Sequence, residues 1–272
     1  MYSEQNSYGM IKFQQVGHQT IQKHVDHLLK DGFSIEEKYF DVELIEELKK
    51  KLDHVYDIQE KALSKEELAK INELDMCRAP LLYDPIFLEL ATTPFLISVA
   101  ENAIQNKVIL HLQNGIINHP NKQHHQQSWH RDLPYQNFVS SKPLSISALV
   151  TLDPFLEQTG ATLVAKRTHQ FEIDQISDLD QFEKVVAQAS IGSIIFFDSM
   201  LYHKAGKNTS NIIRRGINHM YTSPILKQQY DFPRSCKDMK LTDVQKKILG
   251  FDFQVPIDDV SWRLMKLQKI KS

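Results

Sequence analysis

The spacing of apolar residues changes near Lys107, and this change constrains the fold more than any other feature of the chain. Before it the spacing is helical. Val25, Leu28 and Leu29 recur within 22–30, a segment stopped at Asp31-Gly32-Phe33, where glycine suits a helix end. Asp41 is placed to cap a helix with Leu44, Ile45, Leu48, Leu52 and Val55 on one face. Ser64-Lys65-Glu66-Glu67 reads as a capping box, and Asp84-Pro85 and Thr93-Pro94 each start a further helix. After Lys107 the spacing suits strands at 108–118, 127–134, 144–152, 161–166, 191–198 and 214–223, rich in Ile, Val, Leu, Phe and Thr. Residues 167–190 form a longer connection with a short helix predicted over 179–187. Thr242 caps a helix at 243–249, stopped by Gly250, and another covers 257–270. Six strands following a helical frame predict a mostly β jelly-roll barrel with N-terminal and C-terminal helices packed on it. The expected organisation is one domain over 1–272, with a helical frame at 1–106, the jelly-roll core at 107–225 and a C-terminal helical segment at 226–272.

Composition narrows the function classes. Apolar residues make up 42% of the 272 residues, enough for a sizeable core, and the net charge of −2 offers no global positive field for nucleic acid. No apolar run approaches the ~18 residues of a membrane span. The first residues lack the charged and apolar regions of a secretory signal. Only Cys77 and Cys236 occur, which suits reduced thiols and a cytoplasmic setting. The expected partner is a small-molecule substrate, with no nucleic acid and no membrane; oligomeric state is not legible. The basic run Arg263, Lys266, Lys269, Lys271 reads as a solvated helix face.

Chemistry enters with His-x-Asp. Twelve histidines and 19 aspartates make about one such pair expected by chance, and there are two: His24-Val25-Asp26 and His130-Arg131-Asp132. Residues i and i+2 of a helix diverge, so His24 and Asp26 read as a solvated pair. Around His130 the pattern suits extended chain, where i and i+2 share a face. His130 and Asp132, with the distant His203, make two imidazoles and one carboxylate, the donor set of a non-haem iron(II) site with three positions open. Arg214 would hold the far carboxylate of an oxidising cosubstrate.

Other side chains are candidates for the pocket. His111 and Gln113 on the first predicted strand, and Arg131, Tyr135 and Gln136 beside the metal pair, are candidate substrate contacts. His124-His125 is expected in an exposed polar loop, and His169 and His219 in core or surface positions. Trp129 is expected behind the site, and Ser128 lacks an acid–base partner for hydrolase chemistry.

Several ordered features carry a family resemblance: Asp31-Gly32-Phe33, Trp129-His130-Arg131-Asp132, Thr159-Gly160-Ala161-Thr162, the Gly192–Asp198 stretch, and His203 through Asn208-Thr209-Ser210 to Arg214-Arg215. Over about 28–224 the chain resembles the phytanoyl-CoA dioxygenase-like iron(II)/2-oxoglutarate oxygenases. The resemblance implies a double-stranded β-helix (cupin-like) fold. It implies iron(II) at His130, Asp132 and His203, 2-oxoglutarate held by Arg214, and O2 as the second cosubstrate. It also implies an Fe(II)/2-oxoglutarate-dependent dioxygenase that hydroxylates a small metabolite with release of succinate and CO2. Arg215 is expected on the opposite strand face, in a salt bridge. Three positions depart from the family pattern: Ala205 replaces a hydroxyl residue, Lys166-Arg167-Thr168-His169 replaces a Pro-Gly-Ser-His turn, and Leu149 replaces a tryptophan. The rival readings are a metal-binding jelly roll that is not an oxygenase and a catalytically silent ligand-binding relative. A halogenase would need a small residue at Asp132.

Overall fold

The computed structural model describes residue 11 and residues 14–271. The helical frame forms as the spacing predicts: α1 (His18–Asp31), α2 (Val42–Ala62), α3 (Lys65–Lys70), α4 (Pro85–Ala91) and α5 (Pro94–Ile104). α1 ends at Gly32, whose φ of 89° is the left-handed conformation that glycine adopts without steric cost. The Ser64 capping box is present, with Ser64 and Glu67 exchanging side-chain and backbone hydrogen bonds. Asp84 caps α4 by accepting from the Ile86 N–H.

Two antiparallel sheets follow. β1 (Phe33–Glu36), β2 (Met76–Arg78), β3 (Ile109–Asn118), β4 (Ser145–Thr151), β7 (Ile194–Asp198) and β9 (Arg214–Thr222) form one sheet in the order β1-β7-β4-β9-β3-β2. β5 (Thr162–Ala165), β6 (Lys184–Ala187) and β8 (His203–Ala205) form the other, ordered β6-β5-β8. The large sheet is buried on both faces, and the period of two decides what each face meets. Ile146, Ala148 and Val150 of β4 join the core shared with Leu28, Ile45 and Leu48 of the frame. Leu149 of β4 and Ile195 and Phe197 of β7 turn the other way, toward Phe155 and Val164. A slip of one residue would exchange these two sets, so the register is strongly specified.

The structure corrects three predictions. Residues 127–134 are not a strand. A 3-10 turn at His125–Gln127 leads into extended chain that pairs at one point only, His130 with His203. Pro134 lacks the N–H that a continuing ladder requires. The helix predicted at 179–187 is instead a 3-10 turn, Leu179–Gln181, followed by β6. Val185 and Val186 pair with Val164 and Leu163, and β-branched residues suit that pleated surface better than a helix. His24 is not solvated. It is fully buried, with Nδ1 2.8 Å from Ser34 Oγ, Nε2 2.9 Å from Glu36, and its ring against Phe95 and Phe196. Asp26 is exposed and accepts from Gln22 Nε2 at 2.8 Å.

At the C-terminal end α6 (Phe232–Ser235) and α7 (Asp243–Ile248) place Phe232, Cys236 and Ile248 in the main core. α8 (Asp259–Lys271) differs. Its Val260, Trp262, Leu264 and Leu267 are each at least half exposed. Among the described residues no helix is long and apolar enough to cross a membrane.

Candidate metal centre

Two chain segments meet at the site, each positioned by a few specific bonds. His203 opens β8 after the turn that follows β7, and its backbone exchanges hydrogen bonds with that of His130 at 3.0 Å in both directions. Asp132 is tied down by its own N–H, which donates to Ser199 O at 2.9 Å. The side chains then converge. Asp132 Oδ1 lies 3.5 Å from His203 Nε2 and 3.8 Å from His130 Nε2, and the three ligand-capable atoms all fall within 4.8 Å of one another.

Their surroundings prepare them to share a cation. The His130 Nδ1–H donates to Ser128 O at 2.8 Å and the His203 Nδ1–H to Leu201 O at 3.0 Å. Because a carbonyl can only accept, each ring keeps its lone pair on Nε2, the atom facing the cluster. His130 Nε2 is buried and has no hydrogen-bond partner. Ser147 donates to Asp132 Oδ2 at 2.9 Å, leaving Oδ1 free toward the histidines. Burial holds the His203 imidazole below its ordinary pKa against the pull of Asp132, which favours the neutral form that a metal needs. Two neutral imidazoles and one carboxylate fit divalent iron with open positions.

A cavity of about 400 Å³, counting its open side, adjoins this cluster. Asp132, His203 and Arg214 line it together with Gln126, Thr162, Ala205 and Asn218, and Ile116, Leu149 and Phe197 supply apolar wall. Arg214 is 1% exposed, and its guanidinium lies 4.6 Å over the Phe155 ring and donates from Nη2 to Gly160 O at 2.9 Å. Its Nε has no partner, and burial lowers its pKa to about 10, so it stays charged at neutral pH. A buried cation with no carboxylate in contact is suited to an anionic ligand. Arg215 takes the other face, donating to both Asp53 oxygens at 2.8 and 2.9 Å and to Asp153 at 3.1 Å.

The candidate substrate contacts are placed unevenly. His111 sits at a β-bulge between Leu110 and Leu112, half-buried, within the electrostatic reach of Asp132 but not on the cavity wall. Gln113 is corrected. Fully buried, it accepts from Leu81 N–H at 3.0 Å and donates to Phe87 O at 2.7 Å, stitching the sheet to the helical frame. Arg131 is also corrected, since it does not line this cavity and donates from Nη2 to Thr168 O and Phe171 O. Tyr135 is 96% exposed, and Gln136 is buried and donates to Phe138 O at 3.0 Å, so neither forms part of the wall. Extended chain that pairs at only one residue does not carry alternation forward, which is why the neighbours of the metal pair scatter.

His124, expected to be exposed, is buried. Burial lowers its pKa to about 3, and it feels the charge of Arg214. His169 and His219 are core residues bonded to Leu29 O and Ala148 O. Trp129 is half-buried under Lys204 Nζ, 4.9 Å from its ring. Sequence reasoning missed Ser147, Gln126, Thr162, Asn218 and Phe155. Ser147 had a signal: a hydroxyl between the apolar residues Ile146 and Ala148 of a buried strand needs a polar partner. Gln126 had none, because only the fold brings its turn to the cavity.

The comparisons with known proteins agree with this geometry. The family model for phytanoyl-CoA dioxygenase (PhyH) matches residues 28–216. An uncharacterized protein of Mycobacterium tuberculosis is 36% identical over 197 residues, 68% of this chain and 70% of the relative. The epimerase SnoN, solved with Fe3+, alpha ketoglutarate and nogalamycin RO, superposes with a TM-score of 0.61 at 13% identity, over 82% of this chain and 93% of that one. The non-heme alpha ketoglutarate dependent carbocyclase SnoK gives a TM-score of 0.59 at 13% identity, over 75% and 84%. With the family model spanning more than half of the chain, the chain belongs to the phytanoyl-CoA dioxygenase family.

Proposed function

We propose that this protein is an iron(II)- and 2-oxoglutarate-dependent dioxygenase that hydroxylates a C–H bond of a small metabolite, releasing succinate and CO2. His130, Asp132 and His203 hold the iron, and Arg214 binds the far carboxylate of 2-oxoglutarate. The observation that carries this reading is a buried arginine with no ion-pair partner among the described residues, in the same cavity as His203 and Asp132, which cluster with His130. Iron with 2-oxoglutarate and O2 supplies the oxidising power. The protein's own residues do the rest.

The backbone carbonyls of Ser128 and Leu201 fix the tautomers of both rings, and Ser147 orients the carboxylate. Arg214 presents a planar fork that matches a carboxylate at two points, with Phe155 beneath it to limit its rotation. Leu149, Phe197 and Ile116 exclude water, which strengthens both electrostatic interactions. A metal barrel that is not an oxygenase has no need for Arg214. The test is to titrate 2-oxoglutarate into the anaerobic iron(II) protein, follow the metal-to-ligand absorption, and then screen metabolites for those that stimulate succinate release. No absorption band on adding 2-oxoglutarate sinks the cosubstrate assignment. A product without a new hydroxyl, by mass spectrometry, sinks the hydroxylation.

A further inference from the structure

Three residues outside the ligand set and the cavity wall hold the two ligand-bearing segments together from behind. Thr168 is fully buried. Its Oγ accepts from Tyr202 N–H at 2.9 Å and donates to Ala165 O at 2.8 Å, while its carbonyl accepts from Arg131 Nη2 at 2.7 Å. Tyr202 immediately precedes His203, and Arg131 stands between His130 and Asp132. One residue is therefore bonded to both segments. Arg131 adds a bond to Phe171 O at 2.8 Å, and its guanidinium lies 4.5 Å from the centre of the Tyr202 ring.

Stability alone does not account for this arrangement. Arg131 is 6% exposed, and its Nε and Nη1 have no hydrogen-bond partner. Asp198 acts on it through charge but makes no hydrogen bond to it, and a buried guanidinium so incompletely paired serves the core less well than an apolar side chain of similar volume. The segment bearing His130 and Asp132 belongs to no strand, so apart from its backbone bonds to His203 and Ser199 these few bonds place it.

We propose that Thr168, acting through Arg131 and Tyr202, is a positioning residue that sets the separation of His130 and Asp132 from His203 and thereby the metal affinity. The inference rests on reading those three residues as the ligands. It is tested with cobalt(II), a coloured substitute for iron(II), titrated into the metal-free protein while the melting temperature is followed in parallel. Thr168→Val removes the hydroxyl and should weaken cobalt binding roughly tenfold or more, the range for disrupted supports behind metal ligands, and shift the visible bands. Thr168→Ser should restore both. Arg131→Met, which removes the bonds to the Thr168 and Phe171 carbonyls and the contact with the Tyr202 ring but keeps the Thr168 hydroxyl, should weaken binding in the same direction, and it carries the test if Thr168→Val does not fold. If the unaltered protein takes up no cobalt, the ligand reading itself fails. If it does, but Thr168→Val and Arg131→Met bind as tightly with unchanged bands, the residues serve only the fold and the inference is overturned. A Thr168→Ser protein as weak as Thr168→Val also overturns it, since the hydroxyl would not be the operative group.

Discussion

His24 and His130 each precede an aspartate by two positions, and the fold treats them in opposite ways. In α1 the two side chains diverge. His24 enters the seam between helix and sheet, where Ser34 and Glu36 satisfy both ring nitrogens, and Asp26 stays in solvent with Gln22. At 130–132 the chain is extended, one nitrogen of His130 is spent on Ser128 O, and the other is left unpartnered beside Asp132. A buried histidine with both nitrogens bonded is a structural element. One with a single orphaned nitrogen aimed at a carboxylate and a second imidazole is prepared to bind a metal. The difference lies in hydrogen-bond satisfaction rather than in burial, since His24 is the more buried of the two.

The largest expected effect comes from breaking the prepared site. Asp132→Ala or His203→Ala should abolish 2-oxoglutarate turnover and leave purified protein without iron, measured by succinate formation and metal analysis. Unchanged turnover in either variant removes the assignment. Arg214 comes next. Losing one partner of a buried charged pair costs ~2–5 kcal/mol, and at ~1.4 kcal/mol per decade the lower figure is roughly thirtyfold in affinity for 2-oxoglutarate. Arg214→Met should show at least that loss with iron still bound, and Arg214→Lys should recover part of it. Arg215→Met should leave 2-oxoglutarate affinity nearly unchanged while lowering the melting temperature, because Asp53 loses its arginine and Asp153 is left with Lys49.

The structural member of the comparison should fail differently. His24→Ala should cost ~2–4 kcal/mol in denaturant unfolding, from a cavity plus unsatisfied partners, with full iron content in the protein that remains folded. Iron lost in step with His24 would contradict the distinction. A smaller effect is expected with pH. Burial holds His24 below its usual pKa, opposed by Glu36 and helped by Lys23 and His27. Above ~6.5 the ring is neutral in both states and stability is intact. As pH falls below that value the unfolded chain takes up a proton that the folded chain resists, so stability declines toward the lower folded pKa. His24→Gln should flatten that acid-side slope in unfolding measured between neutral and mildly acidic pH. Asp26→Ala should change neither iron content nor melting, the smallest effect of the set.

Much of the site was legible from residue type and local geometry. The divergence of His24 from Asp26 and the opposite faces of Arg214 and Arg215 follow from helix and strand periods, which are properties of a few consecutive residues. The periods did not show that His24 is buried, that Gln113 is spent on Leu81 and Phe87, or that Arg131 turns away from the cavity. Each of those outcomes depends on a partner 10 to 37 residues away in sequence.

By itself the sequence determined that a helical frame precedes a set of paired strands, and it singled out two histidines, one aspartate and one arginine as the candidate groups for a metal and an anionic cosubstrate. Backbone period and side-chain chemistry are local, so the chain alone carries them. Only the tertiary structure decided which polar atoms are satisfied and which are left over. Ser147 takes one oxygen of Asp132, the Ser128 and Leu201 carbonyls take the Nδ1 protons, and Thr168 binds both ligand segments. Hydrogen-bond satisfaction is a property of neighbours in space, and a metal site is defined by the atoms those neighbours leave free.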